Sequence, residues 1–135
     1  MGDLATGAQD AARPDHDVPE LPTIDLEAIS NLRELNPGDN GEFLREIVSI
    51  YIEDTPKRIS DLRSCLASGD VATFTRAAHT IKGSSANVGA TVLAATAERL
   101  ENQSRKEGLA NVSALVAECE AEFARAAAEL RKLVT

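Results

Sequence analysis

The chain has 135 residues, 43% of them hydrophobic, which suits one domain with a single core and leaves no room for a multidomain enzyme. Lys and Arg number 14 against 22 Asp and Glu, and the formal net charge of −8 argues against nucleic acid or an anionic membrane as ligand and for a protein partner. No apolar run reaches the roughly 18 residues of a membrane span, and the N-terminus lacks the basic-then-apolar pattern of a signal peptide, so the chain is expected in the cytoplasm.

Residues 1–22 hold three of the 5 prolines and almost no large apolar side chain, and they read as a disordered leader. His16 lies there between Asp15 and Asp17 without a third fixed ligand, as part of a solvated tail. Residues 23–135 show helical periodicity throughout and no alternating run that demands a strand. A short first helix is predicted from Asp25 to Leu35, with Leu26, Ile29, Leu32 and Leu35 on its apolar side, stopped by Asn36-Pro37-Gly38. Asp39 followed by Glu42 resembles a capping box and opens a second helix reaching Ala67 on Leu44, Ile47, Val48, Tyr51, Ile59, Leu62 and Leu66. Pro56 falls inside that stripe, which resumes in register after it, so a bend near Asp54 is expected and not a stop.

Ser68-Gly69-Asp70 separates this helix from a third, which carries Val71, Phe74, Ala78, Ile81, Ser85 and Val88 inward and stops at Asn87 and Gly89. A fourth is expected from Thr91 to Lys106 on Val92, Leu93, Thr96, Ala97 and Leu100. The fifth is expected from Asn111 to Leu133 on Val112, Leu115, Cys119, Phe123, Ala126, Leu130 and Leu133. Four long helices on short loops predict an all-α, antiparallel up-down-up-down four-helix bundle, with the short N-terminal helix packed across one end. The 2 cysteines, Cys65 and Cys119, lack CxxC spacing and a histidine at ligand spacing, and read as reduced packing residues.

At about 100° per residue, His79 lies about 130° from the centre of the third helix's apolar stripe and points outward. On that face sit Thr75, Lys82, Gly83 and Ala86, small except for the lysine. A glycine in an exposed helical turn costs about 1 kcal/mol relative to alanine, so Gly83 implies close approach by something outside the helix. An exposed imidazole on a low surface, with a lysine one turn on, suits acceptance of a phosphoryl group from another protein.

The run Ala78-His79-Thr80-Ile81-Lys82-Gly83-Ser84-Ser85-Ala86-Asn87-Val88-Gly89-Ala90 resembles the signature of histidine-containing phosphotransfer (HPt) domains of two-component phosphorelays, and Phe43 through Tyr51-Ile52-Glu53-Asp54-Thr55-Pro56 is similar to the segment preceding it in that family. The resemblance spans residues 25–133. It implies that His79 takes a phosphoryl group from a receiver-domain phospho-aspartate or a histidine kinase and passes it to another receiver aspartate. Lys82 would screen the phosphoryl charge, Gly83 would give the receiver clearance, and Ser84 would either donate a hydrogen bond near the phosphoryl group or serve as an ordinary polar helix residue. Ser85, on the inward stripe, is expected to bond a carbonyl one turn back. The resemblance further implies a carrier and not a kinase, with no cofactor of its own and Mg²⁺ on the partner receiver. Partners are response-regulator receivers and a kinase, which is a hybrid in some relays; the chain is expected to be a monomer, with neither nucleic acid nor membrane as partner.

Many relatives carry Gln 22 residues after the histidine, where this chain has Glu101. A carboxylate accepts a bond from a ring nitrogen but repels bound phosphate, so Glu101 bears on phosphohistidine lifetime. Arg105, one turn on, either compensates that charge or is a solvated helix end. Phe43 and Ile50 lie off the centre of the second helix's main stripe with Ile47 at the edge between them, and this strip either contacts a receiver or lies under Leu26 and Ile29 of the first helix. The rival to a carrier is a helical docking module that binds receivers without being phosphorylated.

Overall fold

The structure is a computed structural model and describes residues 22–134. The leader expected over residues 1–22, with His16, lies outside the described residues except for Pro22, which is exposed. Five helices follow in order: α1 (Leu26–Glu34), α2 (Glu42–Ser68), α3 (Val71–Asn87), α4 (Thr91–Glu107) and α5 (Ser113–Val134). Among the described residues there is no strand. None of these helices is long and apolar enough to cross a membrane.

The bundle closes as a ring, with α2 against α3, α3 against α4, α4 against α5 and α5 back against α2. Short connections make consecutive helices antiparallel. The turn after α2 carries Gly69 at φ 77°, whose N–H bonds the Cys65 carbonyl at 2.7 Å, and Asp70 then caps α3 by accepting from Thr73 N at 3.1 Å. Phe74, Leu62, Ile81, Leu93, Leu100, Val116, Cys119 and Leu130 fill the centre and are fully buried.

α1 lies across the end of the bundle where α3 turns into α4. Asp25 N donates to the Gly89 carbonyl at 2.7 Å, and at its other end Arg33 donates to the Leu133 carbonyl at 3.1 Å. Gly89 is needed there twice over: its φ is +77°, and a Cβ would meet the Asp25 carbonyl oxygen at 2.8 Å and Ala28 Cβ at 3.0 Å.

Several boundaries differ from the sequence reading. Asp39 accepts from Gly41 N and Phe43 N at 2.9 Å each, but the expected capping box does not form: a left-handed turn at Asn40 (φ 59°) and Gly41 (φ 78°) makes Gly41 the N-cap and delays the helix to Glu42. As expected, α2 does not stop at Pro56, and it runs one residue further than predicted, to Ser68. α5 starts at Ser113, two residues later than expected, after a buried Val112.

The seams also differ in detail. Val71 at the first turn of α3 is exposed, as are Leu26 at the start of α1 and Leu35 just after its end, all three at helix termini. Ile47, Leu66, Val92, Phe123 and Leu133 are half-buried and not central. In α5 the centre runs through Cys119, Glu122 and Ala126, which moves Phe123 aside against Tyr51, ring centroids 5.9 Å apart. Both cysteines are free and buried, and burial pushes the Cys119 thiol up to about 12. Cys65 and Cys119 therefore pack as the sequence reading expected.

Glu122 is the carboxyl the sequence reading did not place inside. It is 5% exposed, faces Thr96 of α4 and Glu118 one turn back, and leaves Oε1 without a hydrogen-bond partner. Burial raises its pKa, with Glu118 adding to the effect. A carboxyl raised in the folded state supports the fold while protonated and loses that support as pH rises through its folded pKa. Glu122→Gln is therefore expected to stabilise the chain by about 1 kcal/mol at neutral pH. The gap to the native chain in urea unfolding should widen as pH rises from about 4, near the unfolded carboxyl's pKa.

Candidate functional site

The middle of α3 is braced on both sides. Toward α2, the Tyr51 hydroxyl and Ser85 Oγ share a buried hydrogen bond of 2.7 Å, and burial pushes the Tyr51 phenol up to about 12. Toward α4, Thr75 Oγ1 and Ser104 Oγ share one of 2.7 Å, and Ser104 also donates to the Glu101 carbonyl at 3.1 Å. These contacts hold α3 between its neighbours one turn before and two turns after His79.

His79 itself stands out from the helix, its side chain 64% exposed, as its angle from the apolar stripe requires. Its Nδ1 lies 3.0 Å from Glu101 Oε2. Glu101, by contrast, is buried, its side chain 6% exposed. Lys82 Nζ is 2.8 Å from Oε1, and Arg105 donates to Oε2 at 2.9 Å. The Lys82 ammonium is the only group paired with Oε1 among the described residues, whereas Oε2 meets both Arg105 and His79. Lys82 first, then Arg105 and His79, hold the Glu101 carboxyl down to about 2 in spite of its desolvation. Glu101 is therefore ionised, and Arg105 compensates it as one of its two expected roles required.

The surface around the imidazole is low. Thr80 Oγ1 turns back to the Arg76 carbonyl at 3.1 Å, and Ser84 Oγ to the Thr80 carbonyl at 3.0 Å. A Cβ on Gly83 would meet nothing within 4 Å, so no packing on its own chain explains that glycine.

Of the two hydroxyls, Ser84 takes one of its two expected roles and Ser85 departs from its expected one. Ser85 does not bond a carbonyl one turn back; it is fully buried and meets Tyr51 across the α2–α3 interface. Ser84 is the one that bonds back, which is the ordinary helix role. Thr75, expected on the open outward face, is half-buried by Ser104. The polar positions that sequence reasoning missed, Ser104 and the Tyr51–Ser85 pair, had only a weak signal: Ser104 follows Glu101 by three residues and so shares its face.

Phe43, Ile47 and Ile50 do not form one open strip. Phe43 and Ile47 are half-buried against the core, whereas Ile50 is 58% exposed. Of the two α1 residues expected to cover it, Ile29 is buried and Leu26 is exposed, and Ile50 stays open. Ile47 and Ile50 line a shallow groove of about 140 Å³ with Tyr51, Thr55, Ser84 and Val88, beside the His79 face of α3.

The four-helix ring is an architecture that solved structures share. The Hpt domain family matches residues 46–131, and the chain belongs to that family. Over 100 residues it is 31% identical to multistep phosphorelay regulator 1 of Schizosaccharomyces pombe, covering 74% of this chain and 34% of the relative. The chain thus spans about a third of the length of that relative. Among solved structures it is similar to histidine-containing phosphotransfer protein B of Pseudomonas aeruginosa PAO1, with a TM-score of 0.76 and 27% identity over 85% of this chain and 96% of that one. The HPt domain of a sensor hybrid histidine kinase from Shewanella shares the fold, with a TM-score of 0.69 at 14% identity over 85% of this chain and 96% of that one.

The depressed Glu101 pKa has a measurable consequence. A carboxylate held below its unfolded value contributes stability above the unfolded pKa of about 4.3 and loses it as pH falls toward the folded value. Glu101→Gln is expected to lower stability at pH 7 by about 1 kcal/mol, a figure that allows for solvent screening at the exposed ends of His79 and Arg105. In thermal melts the difference should shrink as the pH falls below about 4.

Proposed function

We propose that this chain carries phosphoryl groups between proteins on His79. The observation that carries the reading is the hydrogen bond from His79 to Glu101. An ionised carboxylate only accepts, so in the neutral imidazole Nδ1 holds the proton and donates it, which leaves the lone pair on Nε2. Nε2 is then the nucleophile. It attacks phosphorus in line, a P–Nε2 bond forms, the P–O bond to the receiver aspartate breaks, and the aspartate leaves as a carboxylate. No proton has to be removed from the attacking nitrogen.

Lys82 neutralises phosphoryl charge, and the open space over Gly83 admits the receiver's active-site loops. Ser84, bonded to its own helix, keeps that surface low. Ile50 and the groove beside it, with Ile47, offer an apolar docking surface continuous with the His79 face, and Phe43 supports it from the core side. The partners this implies are receiver domains and a histidine kinase; Mg²⁺ belongs to the receiver, and the chain acts as a monomeric carrier without kinase activity in the cytoplasm.

The experiment mixes the native chain with a receiver charged by a small phosphodonor and follows acid-labile, alkali-stable label, alongside His79→Gln and Gly83→Leu. The native chain is expected to take label and His79→Gln none. Gly83→Leu, which fills the open space without touching the core, is expected to slow transfer from the receiver at least about tenfold. Binding without label across a broad receiver panel would favour the docking-module reading, for which the carboxylate at Glu101 is the supporting feature.

A further inference from the structure

The partners of Glu101 do not hold it alike. Arg105 lies one turn on in the same helix and donates to Oε2 at 2.9 Å, the oxygen that also faces His79 Nδ1 at 3.0 Å. Lys82 comes from α3 and meets the other oxygen, Oε1, at 2.8 Å as its single partner. One carboxylate oxygen is thus tied by two donors, while the other is matched only by a charge on a flexible stem.

We propose that Arg105 is a positioning residue of the phosphoryl site: it holds Glu101 ionised and in place through Oε2, so that Lys82 is able to leave Oε1 for a phosphoryl group on His79 Nε2. The inference rests on the carrier reading above. Charge drives the exchange, since a phosphoryl group carries about −1.5 to −2 and a carboxylate −1. The chemistry of the two cations fits the division. A guanidinium is a rigid planar fork suited to staying on a carboxylate, and an ammonium is a point charge with rotatable donors suited to moving. Lys82 is also 32% exposed and lies on the His79 side of α3, within one turn of the imidazole. Without Arg105, departure of Lys82 would strip the buried Glu101 of its last full positive charge, a costly state. Lys82 would then stay, and the phosphoryl group would lack its neutralising cation. Arg105 is on a different helix from the His79-Lys82-Gly83 run, and only the α3–α4 packing brings it to the site.

Phosphoramidate tests the exchange without any partner protein. Its P–N bond breaks, ammonia leaves, and a new P–N bond forms at Nε2, read as the phosphohistidine resonance by ³¹P NMR. The native chain should label and His79→Gln should not. Arg105→Met should label about fivefold more slowly, with Arg105→Lys between the two. Glu101→Gln and the double variant Glu101→Gln/Arg105→Met should label within about twofold of each other, because Arg105 acts only through the carboxylate. Arg105→Met at the native rate, or a fivefold loss that persists beside Glu101→Gln, would overturn the proposal. No label on the native chain, or equal label on His79→Gln, would overturn the carrier reading itself and the exchange with it.

Discussion

A carboxylate taken out of water must meet positive charge or give up its ionisation, and Glu101 meets that demand from two helices at once. His79 and Lys82 reach it from α3 and Arg105 from α4, so one buried anion ties the faces of the two helices together at mid-height. The same contact sets which nitrogen of His79 carries the proton and where Lys82 rests. The Thr75–Ser104 bond one turn away keeps the register that this geometry requires.

The protein buries two glutamates and treats them oppositely. Glu101 is surrounded by donors and cations and is held far toward the anion; Glu122 sits on α5 among Thr96, Cys119 and Glu118 and is pushed toward the neutral acid. The first lies beneath an exposed imidazole, the second in a seam otherwise made of small and apolar side chains. Burial alone does not separate them, since they are 4% and 5% exposed; the neighbouring charge does.

Family membership and fold agree across a wide range of identity. The likeness to the Shewanella domain persists at 14% identity, which fits a fold specified by helical periodicity, short loops and capping more than by individual core residues. In this chain those devices are concrete: Gly69 and Asp70 turn α2 into α3, and Gly89 lets α1 close on the α3–α4 turn. The surface over Gly83 is low and Ile50 stands open on the same scaffold.

Much of this was legible from periodicity. Five helices, their order, the outward angle of His79 and the bareness of Gly83 follow from apolar spacing, Pro and Gly stops and the position of one histidine on one stripe. What was misread shares a cause: a one-dimensional stripe cannot say how far a neighbouring helix extends or which side chain lies across from it. Val71, Leu26 and Leu35 are apolar and in register yet exposed at helix ends. Ser85 was on the inward stripe, but only Tyr51, on another helix, explains why its hydroxyl is satisfied there.

The sequence by itself determined the helical class, the turn positions and the exposed histidine, because local propensity and periodicity act within one helix. Only the tertiary structure decided that Glu101 is an anchored anion, that Arg105 and Lys82 divide its two oxygens, and that Glu122 is buried. Those outcomes depend on which faces of α3, α4 and α5 meet, and electrostatics between helices is set by distance in space and not by spacing along the chain.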